Sequence, residues 1–178
     1  FIMVGIDFSK VKDIEKHYSK SDEGEGFKDY YKKLKPFAYG GLASNGIFVY
    51  KDNFIKIIIP EKNLIRGRDC PFSKKQYFKL FNHINSNLSD ILIEYIEYGT
   101  FCIEDEGFND ISFEDSTEYI YFVSKGGETF KIEEITPKDL IKIAKKIVEL
   151  NNKGYTHGDI KLGNIIRKKD REIVFIDY

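Results

Sequence analysis

Apolar residues recur along this chain with two periods, one helical and one of short continuous runs. Residues 137–154 hold Leu140, Ile143, Ala144, Ile147 and Val148 at helical spacing. Thr136 stands before them as an N-cap, Pro137 occupies the first helical position, Asp139 sits where a capping-box acid belongs, and Gly154 ends the run. The pattern predicts the best-marked helix of the chain, with its apolar stripe in a core. A second helix is expected over residues 72–84, with Tyr77, Phe78, Leu80, Phe81 and Ile84 on one face. Val11–Ser19 reads as a weakly amphipathic helix, and residues 27–34 as a short one. Runs rich in branched and aromatic residues predict strands on either side of a glycine cluster at 40–46, over 53–59, over 90–100 and over 119–123. Ile165-Ile166 and Ile173–Ile176 flank the polar turn RKKDRE and predict a hairpin. The fold class is therefore α+β.

Composition narrows this picture. With 42% hydrophobic and 15% aromatic residues, 178 residues can bury a real core. Lys+Arg 28 against Asp+Glu 29 leaves a net charge of −1, so no global charge argument points to nucleic acid or to an anionic membrane. Cys70 and Cys102 have no metal-type spacing and read as reduced thiols in a reducing compartment. No apolar run approaches membrane-spanning length and no signal-peptide pattern shows. The expected location is the cytoplasm, or a host cytosol for a secreted effector. Residues 62–69 form a basic loop and residues 104–118 an acidic connection.

The candidate chemistry lies in residues 156–178, THGDIKLGNIIRKKDREIVFIDY. Asp159 in a loop can orient an attacking hydroxyl and accept its proton late in a reaction. Lys161, two residues on, can neutralise charge on a moving phosphoryl group. Asn164, and Asp177 at the end of the last apolar run, can supply oxygen ligands to Mg²⁺, which keeps its other positions for water and phosphate.

HGDIKLGN resembles the protein-kinase catalytic loop H-R-D-L-K-x-x-N, with Gly158 in the Arg place. Ile176-Asp177-Tyr178 resembles the start of the D-F-G metal motif. Upstream, GLASNGIF resembles the glycine-rich loop G-x-G-x-x-G-x-V, with Ala43 for the middle Gly and Phe48 in the Val place. Lys56 is the one charge in an apolar strand and resembles the V-A-I-K lysine that holds the α- and β-phosphates.

The resemblance implies a protein-kinase-like fold: an antiparallel small lobe with helix C, a hinge, and a partial helical large lobe. Residues 1–35 would be an N-terminal extension, a strap or flexible arm that could dock a partner protein. Residues 36–123 would form the small lobe, and 124–178 the hinge, helix E and catalytic loop, with the large lobe incomplete. Asp159 and Lys161 would be catalytic, and Asn164 and Asp177 metal ligands. Gly41, Ala43, Ser44, Gly46, Lys56, Ser124 and Lys125 would bind ATP. Residues 72–84 hold no acid to pair with Lys56, Gln76 being the nearest polar stand-in.

The implied activity is ATP- and Mg²⁺-dependent transfer of the γ-phosphoryl group, most directly to Ser or Thr of a protein. H-G-D…N…I-D is also similar to aminoglycoside, choline and lipopolysaccharide-sugar kinases, which implies a small hydroxyl acceptor instead. A pseudokinase-like binding module is the third reading. Gly158 in the Arg place removes the usual partner of an activation-loop phosphate, so no such switch is expected. Neither a nucleic-acid partner nor a transmembrane segment is expected.

Overall fold

The computed structural model describes residues 6–20, 26–38, 46–58, 73–103 and 117–177. The chain divides into two compact units, Phe1–Phe78 with Tyr95–Ser124, and Lys79–Glu94 with Lys125–Tyr178.

The first unit is built on six strands: β1 (Val11–Ser19), β2 (Lys35–Ala38), β3 (Gly46–Tyr50), β4 (Asn53–Ile58), β5 (Tyr95–Ile103) and β6 (Thr117–Lys125). Their order across the sheet is β1-β5-β6-β4-β3-β2. The pairings β1–β5, β5–β6, β4–β3 and β3–β2 are antiparallel. Alternation gives the sheet two faces. Phe48, Ile55, Ile57, Phe101, Tyr121 and Val123 turn to one face and are buried. That face is covered by a short helix, α1 (Phe27–Tyr30), whose Phe27 and Tyr30 belong to the same core. Phe27 is fully buried, stacked on Tyr121 at 4.1 Å between ring centroids and tilted against Phe101 at 4.9 Å. On the other face, Phe78 of helix α2 (Lys74–Asn87) stacks on Tyr98.

Val11–Ser19, expected as a helix, is a strand, and this corrects the sequence reading. Val11, Ile14 and Tyr18 are three and four residues apart, which mimics helical spacing. In the strand, the register with β5 slips between Val11 and Ile14 and again between Lys16 and Tyr18. Each slip shifts the alternation by one residue, so apolar side chains recur off the period of two. Nine residues make at best a marginal helix alone, and pairing with β5 supplies the backbone partners. Gly99 permits the approach: a Cβ there would run into the Glu15 carbonyl and sit 2.8 Å from the Tyr121 hydroxyl. The segment expected as an extension thus contributes a sheet strand and two core aromatics.

Glu97 anchors this segment. It is buried, and its Oε1 accepts from the Phe27 N–H at 2.9 Å and from the Tyr121 hydroxyl at 2.9 Å. Lys16 Nζ lies 3.7 Å from Oε2. Burial first, then the neighbouring Glu97 charge, pushes the Tyr121 hydroxyl far above its ordinary pKa, so it stays a donor.

In the second unit, α3 (Pro137–Asn152) begins as its sequence predicts. The Asp139 N–H donates to Thr136 Oγ1 at 3.2 Å, and the Thr136 N–H donates to Asp139 Oδ2 at 3.0 Å. Asp139 also holds Arg167 at 3.2 Å, fixing the helix start to the hairpin. The apolar stripe is only partly core, which is a second correction. Ile143 and Leu150 are buried, Leu140 and Val148 are 55% and 57% exposed, and Ala144 is exposed. The helix buries the Ile143–Leu150 side, and the flank carrying residues 140, 144 and 148 faces outward.

Strands β7 (Glu128–Thr129), β8 (Ile165–Arg167) and β9 (Ile173–Phe175) form a three-stranded antiparallel sheet. The hairpin expected around RKKDRE is β8–β9. Residues 90–94, expected to open β5, instead run beside β9. The Phe175 N–H donates to the Ile91 carbonyl, and its carbonyl accepts from the Ile93 N–H, both at 2.9 Å.

Candidate functional site

Three of the expected site residues converge within one loop of the second unit. After α3 the chain turns at Gly154 and again at Gly158, where φ is +80° and an added Cβ would meet nothing within 4 Å. That left-handed turn suits glycine and not the Arg of the kinase pattern. A 3-10 turn, Leu162–Asn164, then leads into β8.

Asn164 is buried and points its side-chain NH₂ back across the loop. It donates to the Asp159 carbonyl at 3.0 Å and to Asp159 Oδ2 at 2.9 Å. Lys161 Nζ donates to the same Oδ2 at 2.7 Å. Both side-chain donors use Oδ2, so Oδ1 is the oxygen that can meet an incoming hydroxyl. The Lys161 hydrogen bond, reinforced by its charge and by Asn164, holds the Asp159 carboxyl below the usual aspartate range. Asp159 is therefore a carboxylate at neutral pH, an acceptor that could orient a hydroxyl rather than a strong base.

His157 ties this loop to the strand that delivers Asp177. It is 7% exposed, donates from Nε2 to the Ile176 carbonyl at 2.9 Å, and accepts at Nδ1 from the Asp159 N–H at 3.3 Å. These partners assign the ring hydrogen to Nε2. Its ring also meets Phe175 edge-on at 5.6 Å. The Ile176 N–H in turn donates to the Asn164 carbonyl at 3.0 Å. Ile176 is thus bonded on both sides of its backbone to the loop, and the next residue, Asp177, takes φ +58°. A non-glycine residue in the left-handed region is uncommon, though Asp tolerates it better than most. The backbone role of Ile176 leaves no trace in residue type, and sequence reasoning missed it.

The NH₂ of Asn164 is committed to Asp159, which leaves its amide oxygen as the remaining acceptor. That oxygen and the exposed Asp177 carboxylate are the hard oxygen atoms here that could hold Mg²⁺ completed by water and phosphate. Among the described residues no three His, Cys, Asp or Glu side chains cluster as a metal site.

Of the expected ATP-binding residues, Gly41, Ala43 and Ser44 lie outside the described residues. Gly46 opens β3 with φ +140°. Lys56 is half-buried on β4, opposite Ile47, in the first unit. Ser124 is buried opposite Tyr95, and Lys125 is exposed at the end of β6. Phe48, in the Val place of the glycine-loop pattern, pairs with Ile55 and packs in the core on the face away from Lys56. Ile47 shares the face of Lys56 instead, because directly paired residues lie on one side of a sheet. Gln76, the polar stand-in for an acid to pair with Lys56, has its Oε1 accepting from the Ser73 N–H at 2.7 Å, which caps the start of α2. Lys74, the first residue of α2, pairs with Glu118 of β6 at 2.7 Å.

No helix among the described residues is long and apolar enough to cross a membrane. Comparison with models of known protein families finds no match to this chain, and no curated protein matches it either.

Proposed function

We propose that this chain is an ATP- and Mg²⁺-dependent phosphotransferase of protein-kinase-like fold, passing the γ-phosphoryl group to a hydroxyl. The observation that carries the reading is the Asp159 carboxylate, held at Oδ2 by Lys161 and Asn164 in a loop that His157 ties to the residue preceding Asp177. Bound Mg²⁺ would neutralise charge on the transferring phosphate, with Asn164 and Asp177 as its protein ligands. Asp159 would align the acceptor hydroxyl and take its proton as the bond to phosphorus forms. Lys161 would offset charge on the moving group once its ammonium turns from Asp159. Lys56 is the proposed partner of the α- and β-phosphates. The acceptor we propose is Ser or Thr of a protein, on the strength of a lysine two residues after the aspartate.

The test has two steps. Thermal melting with and without Mg-ATP, on wild type and Asp177→Ala, reads binding, since a ligand of the native state raises apparent stability by mass action. A rise in wild type that Asp177→Ala abolishes supports the metal–nucleotide site, and no rise at saturating nucleotide refutes it. Transfer of label from γ-labelled ATP to a protein, lost in Asp159→Asn, supports the protein acceptor. Labelling of only a sugar or aminoalcohol moves the acceptor to the small-molecule class.

A further inference from the structure

At the β2–β3–β4 end of the first unit the two faces of the sheet differ. Phe48, Ile55 and Ile57 belong to the buried core that α1 covers. Alternation sends Phe54 and Lys56 to the opposite face, with Val49 paired to Phe54 and Ile47 to Lys56. All four are half-buried. Strand β2 slips its register between Pro36 and Ala38. Phe37, at the slip, sets its ring edge-on against Phe54 at 4.9 Å between centroids and is 61% exposed, which places it on the Lys56 face. In the V-A-I-K pattern the residue two before the lysine is Ala; here it is Phe54, so two rings stand where the pattern has a methyl. The charge on this face has one sign. Strands β2, β3 and β4 hold Lys35 and Lys56 and no acid, and Lys35, paired with Val49, lies on the face of Phe54. Between residues 35 and 60 the one acid is Asp52, at the β3–β4 turn.

We infer that Phe37 and Phe54 form a stacking platform for the base of the phosphoryl-donor nucleotide, so that the donor is chosen by its triphosphate and not by its base, an assignment that rests on the phosphotransferase reading above. Two residues of strand, about 7 Å, separate Phe54 from Lys56, which sets a flat apolar surface beside a cation. The last glycine of the 40–46 cluster, Gly46, pairs with Ile57, one residue past Lys56, so the order along the face is glycine, lysine, rings. Phosphates belong at the first two and the base at the third. Every base has a π-face, and stacking on an aromatic side chain accepts any of them, whereas choosing among bases takes hydrogen bonds to their edges. Phe37 and Phe54 offer no donor or acceptor for that choice. A lipid headgroup or a sugar phosphate has the anion but lacks the flat ring that two aromatic side chains would recognise. One platform takes one base, which fits a mononucleotide.

The experiment is calorimetric titration of the full chain with Mg-ATP, Mg-GTP and Mg-tripolyphosphate, on wild type, Phe37→Ala, Phe37→Leu and Phe37→Tyr. Wild type should bind ATP and GTP within about threefold of each other, and tripolyphosphate about tenfold more weakly, the share of one stacked base. Phe37→Ala and Phe37→Leu should weaken both nucleotides by about tenfold and leave tripolyphosphate unchanged. Phe37→Tyr should keep the wild-type affinity, because the ring and not its apolar bulk makes the contact. In NMR spectra the base protons of bound ATP should move upfield with wild type and not with Phe37→Ala. Equal affinity for ATP and tripolyphosphate, or nucleotide affinity that Phe37→Ala leaves intact, overturns the platform and leaves the triphosphate site of the proposed function standing. A preference for ATP over GTP of about a hundredfold overturns the tolerance for base. Absence of binding by all three ligands overturns both this inference and the phosphotransferase reading.

Discussion

Replacing Phe27 by Ala tests whether the N-terminal segment is part of the sheet unit or a dispensable cover. The ring is fully buried, stacks on Tyr121, and meets Phe101 and Tyr30. Truncating a buried Phe to Ala costs about 3–5 kcal/mol, the lost transfer energy plus the cavity left behind. The stacked pair with Tyr121 adds about 0.5–1.5 kcal/mol of geometry-specific attraction, which argues for the upper part of that range. A loss of about 4 kcal/mol is a large share of the roughly 5–15 kcal/mol that holds a domain together. With a urea slope of about 2 kcal/mol/M, the midpoint of the transition should fall by about 2 M. The chain has no tryptophan, so far-UV CD is the probe. Phe37→Ala, at a ring 61% exposed, is the control and should move the midpoint by no more than about 0.5 M. A Phe27→Ala loss below about 1 kcal/mol would refute the reasoning, because no docked aromatic core residue is that cheap to truncate.

Three further outcomes are expected. Gly99→Ala should destabilise by about 1–3 kcal/mol or more through its clash with the Glu15 carbonyl, while Gly163→Ala, in open space, should stay within about 0.5 kcal/mol; equal effects in urea titrations would contradict the β1 docking. His157→Ala should cost about 2 kcal/mol and, in chemical-shift maps, move both Asp159 and Asp177 resonances, because one ring spans the two segments; a change confined to one of them would count against that link. Lys161→Met should raise the Asp159 carboxyl toward its ordinary value in an NMR titration. Because the folded pKa is depressed, the pair's contribution to stability is present above the unfolded aspartate value and is lost as pH falls through the lower folded value. A carboxyl that titrates identically in wild type and variant would show that the ion pair does not form in solution.

The parts of this chain that were legible in advance are those whose signals are local. Thr136, Pro137 and Asp139 announce the start of α3 because a capping box is closed within four residues. The Arg167–Glu172 turn announces the β8–β9 hairpin for the same reason. The Asp159, Lys161 and Asn164 cluster was legible because all three lie within six residues. What escaped depends on distant partners. Strand β1 exists because Gly99, more than eighty residues away in sequence, leaves room for it, and its two register slips disguise the alternation. Phe27 is core because of Phe101 and Tyr121. The outward flank of α3 could not be told from its buried flank, since Leu140 and Ile143 are equally apolar and only tertiary placement separates them. Phe48 was assigned by motif position, yet the pairing register of β3 with β4 decides which face it takes.

The order of the six-stranded sheet also bears on strand pairing between molecules. Its two outermost strands are β1 and β2. Strand β1 bears Lys12, Asp13, Glu15 and Lys16 and is broken by bulges, and β2 is four residues long with a proline that lacks an N–H. Both are poor templates for a strand from another molecule. Strand β5, just inside β1, is the opposite: nine residues, seven of them buried, with one acidic side chain. Losing the N-terminal segment would bare that strand and its row of unpaired backbone groups. Proteolysis before Gly26 would then be expected to lead to intermolecular strand pairing and aggregation, a failure more severe than the lost contacts alone would suggest.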